Sequence, residues 1–261
     1  VRSDPLEAYL EQLASAVDAL ATTTVDAQTR ATAIAERLAS PLRLVVAGRV
    51  SSGKSTLVNA LLGQRVAPTD ISECTRIVTW FRYGSPQRVD VHRRDGTVTA
   101  QPLTSEGRLP TSVGVPVSDV ARLDVWLAND TLRHLTLVDT PGFSSASKAI
   151  DPGDHQTSMD SDSWAAAESC DAMLFVLNQG LRADELAVLQ AFQASQAGPA
   201  SAVNTVGVLT KADRLGNGDV DAWQVASTMA KRYAERHRDD VATVLPLMGL
   251  LAETTECARL S

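Results

Sequence analysis

The sequence predicts a three-layer α/β/α fold, with an extended and mostly parallel sheet between helices and a long helix ahead of it. Three observations predict it. Short apolar runs recur at residues 42–47, 135–139, 171–178, 204–209 and 241–247, as strands buried on both faces do. Amphipathic stretches separate several of them, at 55–62, 184–192 and 219–237. The first run leads directly into a glycine-bounded loop and then a helix, LRLVVAGRVSSGKST at 42–56.

That stretch carries the chemistry. Gly48 to Ser55 fits G-x-x-x-x-G-K-[ST], a phosphate-binding loop when a strand precedes it and a helix follows. A chance glycine turn would lack both flanks. The loop wraps a polyphosphate with its own N–H groups, so Gly48 and Gly53 stand where a Cβ would interfere. Ser51, Ser52, Gly53, Lys54, Ser55 and Thr56 are therefore the expected nucleotide contacts. The helix beginning near Gly53 points its positive end at the phosphates. Lys54 adds a point charge for the β- and γ-phosphates, and Ser55 offers a hydroxyl to Mg²⁺.

Composition narrows the classes. The 261 residues are enough for one large α/β domain with an appendage, and 44% are hydrophobic, enough for a core. A net charge of −7 argues against general nucleic-acid binding. Cys74, Cys170 and Cys257 are widely spaced and odd in number; they suggest neither a metal site nor a disulfide, and a reducing cytoplasm is the simple expectation. No apolar run reaches the ~20 residues of a bilayer span, and no signal peptide is evident.

Three segments are expected: an N-terminal neck or bundle helix at 1–40, the nucleotide-binding domain at 41–250, and the start of a C-terminal helix at 251–261. Residues 4–39 read as one helix, opened by Asp4-Pro5 and stopped by Ser40-Pro41. Leu6, Leu10, Leu13, Val17, Leu20, Thr24, Ala27, Ala31, Ile34 and Leu38 form a heptad seam that is weak between Thr24 and Ala31. It suits either a bundle whose other helices lie outside this chain or a helix lying on the domain.

After the loop helix, residues 63–74 read as an exposed loop. Thr75 at its end stands where a nucleotide switch places its second Mg²⁺ ligand. Residues 77–81 and much of 85–130 read as strands, with a hairpin turn at Asp95-Gly96. His92, Arg93 and Arg94 read as a solvated hairpin tip, and 102–118 as a long surface loop. Asp139 ends a buried strand and can hold Mg²⁺ through water; in Thr140-Pro141-Gly142 the Gly142 N–H can approach the γ-phosphate. Residues 143–162 read as a polar surface loop, or as a segment that γ-phosphate contact would order; His155 is expected to face solvent, a base being the alternative. Thr210-Lys211-Ala212-Asp213 closes a later strand. The Asp213 carboxylate can accept from both N1–H and the 2-amino group of guanine, a pair adenine lacks, and the Lys211 stem can lie along the base. The Met248-Gly249 turn would place N–H groups at the base edge.

GRVSSGKS, Thr75, DTPG and TKAD stand in the order of a guanine-nucleotide-binding domain. GRVSSGKSTLVNALLG, VAPTDISECTRIVT, the enlarged sheet at 85–130 and the helix before the first strand resemble the dynamin family, especially bacterial, actinobacterial-type, dynamin-like proteins. The resemblance covers most of residues 1–255. It implies binding of GTP and GDP with Mg²⁺, hydrolysis, and a self-association in which two domains face each other over their nucleotides. It also implies a K⁺ or Na⁺ ion at Ser51 in place of an arginine finger. Lys54, Ser51, Thr75 and Gly142 would be the catalytic set. A stalk and membrane-binding tip would follow this segment, so the full-length protein is expected to be cytoplasmic, peripheral to the membrane, and to remodel lipid. Val50 departs from the phosphate-loop glutamine of eukaryotic dynamins, and Phe143 from the switch glutamine of Ras-like proteins. Water would then be positioned by the Thr75 backbone, by switch residues or across the dimer. Arg49 is expected to face solvent, a cis arginine finger being the alternative. Two rival functions remain: a regulatory G-protein switch acting on a protein partner, and a guanine-nucleotide-dependent assembly module that does not hydrolyse.

Overall fold

The computed structural model describes residues 5–21, 25–69, 73–143, 160–178, 180–195, 202–215, 221–249, 251–252 and 254. The chain forms two compact units, Val1–Pro41 and Leu42–Ser261.

In the first unit, α1 (Pro5–Ala21) and α2 (Val25–Ala39) pack against one another. The expected single helix is thus two. The sequence between them is Thr22-Thr23-Thr24, three β-branched residues of low helix propensity where the heptad seam is already weak. Of that seam, Val17 and Ala31 are buried, whereas Leu10, Leu13, Leu20, Ile34 and Leu38 stay exposed. Asp4, Thr24 and the side chain of Leu6 lie outside the described residues.

The second unit holds β1 (Leu42–Gly48), α3 (Lys54–Leu62), β2 (Thr79–Tyr83), β3 (Arg88–Arg93), β4 (Val98–Gln101), β5 (Val120–Leu127) and β6 (Leu135–Asp139). α4 (Ser161–Glu168), β7 (Ala172–Leu177), α5 (Ala183–Ser195), β8 (Thr205–Leu209), α6 (Ala222–Arg236) and β9 (Thr243–Pro246) follow. The nine strands form one sheet in the order β4-β3-β5-β2-β6-β1-β7-β8-β9. From β6 to β9 every pairing is parallel. β2 joins this block antiparallel to β6 and runs parallel to β5, and the β3-β4 hairpin closes the edge antiparallel. Strand alternation divides the core in two. Val46, with Leu57, Val58, Phe81 and Leu123, lines one face. Val45 and Ala47, with Phe175, Leu189, Phe192 and Ala230, line the other.

Three expectations change. The 102–118 segment is not only surface: Leu109 and Val113 are core residues, and the Leu109 N–H donates to the Val66 carbonyl at 3.1 Å. The hairpin side chains at 92–94 are not simply solvated. His92 Nε2 lies 3.2 Å from Asp124, Arg93 lies 3.7 Å from Asp119, and Arg94 grips Asp162 with both terminal nitrogens. The polar 143–162 stretch begins with a buried residue, Phe143, and ends on a helix cap: Asp160 accepts from the N–H groups of Asp162 and Ser163 to start α4. His155 and the rest of 144–159 lie outside the described residues.

One buried amide ties α3 to the loop after it. Asn59 is 1% exposed; its Oδ1 accepts from the Val66 and Ala67 N–H groups and its Nδ2 donates to the Ala67 carbonyl. Asn59→Ala strands the Ala67 N–H and carbonyl, while the Val66 N–H keeps the Gln64 carbonyl, and should cost roughly 2–4 kcal/mol. Urea denaturation should show it as a lower midpoint with an unchanged m-value.

Candidate functional site

The carboxyl ends of β1, β6, β7 and β8 converge on the loop 48–55. β1 and β6 are in register from Leu42↔Leu135 to Val46↔Asp139, which sets Asp139 beside the loop. Thr140 Oγ1 donates to the Val46 carbonyl at 2.9 Å and secures this junction. The loop then turns through left-handed backbone at Ser51 (φ 59°) and Gly53 (φ 103°). That turn delivers α3 with its N-terminus facing the loop.

Lys54 is the centre. It is 7% exposed, and its Nζ donates to the carbonyls of Gly48 (3.0 Å) and Arg49 (2.9 Å). Burial pulls its pKa down to about 8, against the opposing pull of Asp139. Asp139 shows the converse. Burial raises its carboxyl to about 6, although Lys54 and a hydrogen bond from Ser55 both favour the charged form. Ser55 Oγ donates to Asp139 Oδ2 at 2.9 Å, and Asp139 Oδ1 is buried without a hydrogen-bond partner among the described residues. Thr75, in a short 3₁₀ turn at Cys74–Arg76, lines the same cleft as Ser55, Asp139 and Thr140. Two hydroxyls and a carboxylate with a spare oxygen form a hard-oxygen donor set of the kind Mg²⁺ takes.

Gly142 must be glycine. A Cβ there would sit 2.5 Å from Val50 Cα and 2.8 Å from Lys54 Nζ. Its neighbour Phe143 stacks at 6.0 Å on Phe175, and the Phe143 carbonyl accepts from the Val50 N–H at 3.1 Å. From the other side, Thr210 Oγ1 donates to the Ser52 carbonyl at 2.6 Å and Lys211 Nζ to the Ser51 carbonyl at 2.7 Å. Asp213 is exposed in the 3₁₀ turn Ala212–Arg214. The Ala212 N–H donates to the Leu247 carbonyl, drawing residues 248 and 249 close; Gly249 is helical where a turn was expected, and lies against Thr56. The structure therefore brings together Ser51, Ser52, Gly53, Lys54, Ser55, Thr75, Asp139 and Gly142 at one end, and Thr210, Lys211, Met248, Gly249 and Thr56 at the other.

Arg49 departs from both sequence expectations. It is neither solvent-facing nor free to act as a finger: its Nη1 lies 2.5 Å from Asp184 Oδ2, with the two side chains 21% and 24% exposed. Sequence reasoning missed this partner, which stands 135 residues away. It also missed Asn59 and Thr140, whose roles appear only in the fold.

A phosphate loop bounded by left-handed residues, a buried lysine and a carboxylate on the adjoining strand define a P-loop nucleotide-binding domain. The Dynamin family model matches residues 44–212. The chain belongs to the dynamin family and carries its GTPase domain. It is 37% identical over 229 residues to Isoniazid-induced protein IniC of Mycobacterium tuberculosis, covering 87% of this chain and 46% of that protein. A bacterial dynamin-like protein of Nostoc punctiforme is 44% identical over 54 residues, 21% of this chain and 8% of that protein. Among solved structures, a chain of an oligomerised bacterial dynamin pair covers 95% of this chain, with 42% of its own length matched, at a TM-score of 0.53 and 15% identity. This chain spans less than half the length of these relatives. Among the described residues no helix is long and apolar enough to cross a membrane.

The raised Asp139 carboxyl has a consequence for stability. A carboxyl whose folded pKa exceeds its unfolded value favours folding when protonated, so the metal-free domain loses stability as pH rises from about 4 through about 6. Asp139→Asn removes that penalty. It should raise the melting temperature of the metal-free domain by about 3–6 °C at pH 7.5, with the gain shrinking as pH falls from 6 towards 4. Thermal scans across that range check it.

Proposed function

We propose that this domain binds GTP with Mg²⁺, hydrolyses it by in-line attack of water, and couples hydrolysis to self-association; in the full-length protein that cycle acts on membrane. One observation carries the nucleotide reading: Lys54, Asp139, Ser55 and Thr75 meet at the mouth of a left-handed loop, with one Asp139 oxygen unclaimed.

Ser55, Thr75 and, through water, Asp139 would hold Mg²⁺. When bound, the ion neutralises charge on the β- and γ-phosphates. Lys54 and the loop N–H groups of Ser51 to Thr56 stabilise the same oxygens from the other side. The Gly142 N–H would meet the γ-phosphate, a role supported by the close approach of Gly142 to Val50 and Lys54. Asp213 selects guanine, Thr210 and Lys211 fix the base loop to the phosphate loop, and Met248 and Gly249 border the base. A K⁺ or Na⁺ ion at Ser51 rests on the family resemblance alone.

Neither Val50 nor Phe143 offers an amide to orient water, and Phe143 is turned into the core. The attacking water is then positioned by the Thr75 backbone or by a second copy, which makes turnover depend on assembly. The relatives supply the analogy: one is a bacterial dynamin-like protein, another belongs to an oligomerised pair that senses and tethers membranes. The same missing amide favours a second reading, nucleotide-dependent assembly without hydrolysis. Phosphate release measured across protein concentration in K⁺, with and without anionic liposomes, separates the two. Specific activity should rise with concentration; a flat zero selects the second reading.

Two substitutions test the site. Lys54→Ala should weaken fluorescent-GTP binding by at least about 100-fold, since it removes a charge-assisted contact to two phosphates. Asp213→Asn should move the GTP-to-XTP preference by at least about 100-fold towards xanthine, because an amide at that position can donate where the carboxylate only accepts. Competition binding reads both.

A further inference from the structure

Arg49 meets three elements at once. Its guanidinium is held by Asp184 in the first turn of α5. Its carbonyl accepts from Lys54 Nζ and from the Ser52 N–H. Its backbone pairs with Phe143 as an isolated parallel bridge beyond both strands, one residue out of the β1–β6 register. The peptide between Arg49 and Val50 is the pivot. Its carbonyl serves Lys54, and its N–H donates to the Phe143 carbonyl. In a planar trans peptide these two groups point in opposite directions, so one rigid unit sits between the buried cation and the segment that follows Gly142.

We propose that Arg49 is a positioning residue of the phosphate loop, acting through its ion pair with Asp184 to fasten the outer lip of the loop to α5. The inference rests on the guanine-nucleotide reading of that loop. The environment of the pair supports it. Both side chains are about three-quarters buried, so loss of one partner leaves the other's charge partly desolvated and less well compensated. The next residue, Glu185, is 3% exposed and is occupied in capping α5, accepting from the Arg182 N–H at 2.8 Å. Its carboxyl is pushed up by burial and eased by the nearby Arg49 cation. Asp184 is thus the carboxylate of this turn that is bonded to the loop. With the pair intact, the Arg49 Cα is fixed and the pivot peptide keeps its carbonyl on Lys54. With the pair broken, that peptide keeps its bonds to Phe143, Ser52 and Lys54 but loses its anchor to α5, which loosens the Arg49 side of the lysine cage.

The test is release of a fluorescent guanosine diphosphate from the whole chain, by stopped flow with excess unlabelled GDP. Arg49→Ala and Asp184→Ala should each speed release roughly tenfold, and the double variant should release no faster than the quicker single, because the two act through one contact. The reversed pair, Arg49→Asp with Asp184→Arg, should return release to within about threefold of wild type; a merely structural loss would not recover this way. If an alanine variant is unfolded by circular dichroism, Arg49→Gln and Asp184→Asn carry the same expectation. Wild-type release rates in either single, or additive effects in the double, would overturn the fastening role while leaving the nucleotide reading intact. A wild-type chain that binds no guanosine diphosphate would overturn the nucleotide reading itself.

Discussion

A buried ammonium group governs the domain. Lys54 sits in an interior that penalises its charge, and two backbone carbonyls hold it there. Those carbonyls belong to Gly48 and Arg49, where β1 ends and the loop begins, so the fold's central strand terminates on the residues that solvate the lysine. Asp139 stands close enough to interact with the lysine, and burial raises its carboxyl to about 6. A cation and an anion, each short of solvation and each beside spare donors or acceptors, form an arrangement that a polyphosphate with a divalent metal would complete.

The sheet order explains why distant segments share this point. β6 and β7 flank β1, and β8 follows. Their carboxyl ends bring Asp139, Asn178 and Thr210 around the loop, and Thr210 Oγ1 bonds to the Ser52 carbonyl and lies 3.0 Å from Asn178 Oδ1. The phosphate end and the base end are therefore one hydrogen-bonded body. The extra strands β2 to β5 widen the sheet on the far side. Their core, with Leu109 and Val113 folded in from the long connection, backs the turn that carries Thr75.

Much of this was legible in the sequence, and the reasons differ by residue. The parallel block from β6 to the edge strand β9 was readable because parallel strands leave near-continuous apolar runs. Gly48, Gly53, Lys54 and Ser55 were readable because their chemistry dictates their spacing, and Gly142 because only a glycine fits between Val50 and Lys54. Long-range pairing was not readable. Nothing local to Arg49 names Asp184, and nothing local to Arg94 names Asp162, because ion-pair partners are set by tertiary placement. The split between α1 and α2 was half visible as a weak seam at three threonines, but a heptad pattern does not say where a helix turns back. Leu109 and Val113 were hidden by the glycines and prolines around them, which signal a loop without saying whether the loop is covered. α4, which begins where the polar stretch ends, was missed, although Asp160 carries a recognisable cap.

The measurement closest to the central claim is a calorimetric titration of the chain with GTP and with ATP, with and without Mg²⁺. The account predicts GTP binding that strengthens with Mg²⁺ and ATP binding at least about 100-fold weaker, as expected when a carboxylate reads N1–H and the 2-amino group. Equal binding of the two nucleotides, or no binding of either with Mg²⁺ present, would contradict it.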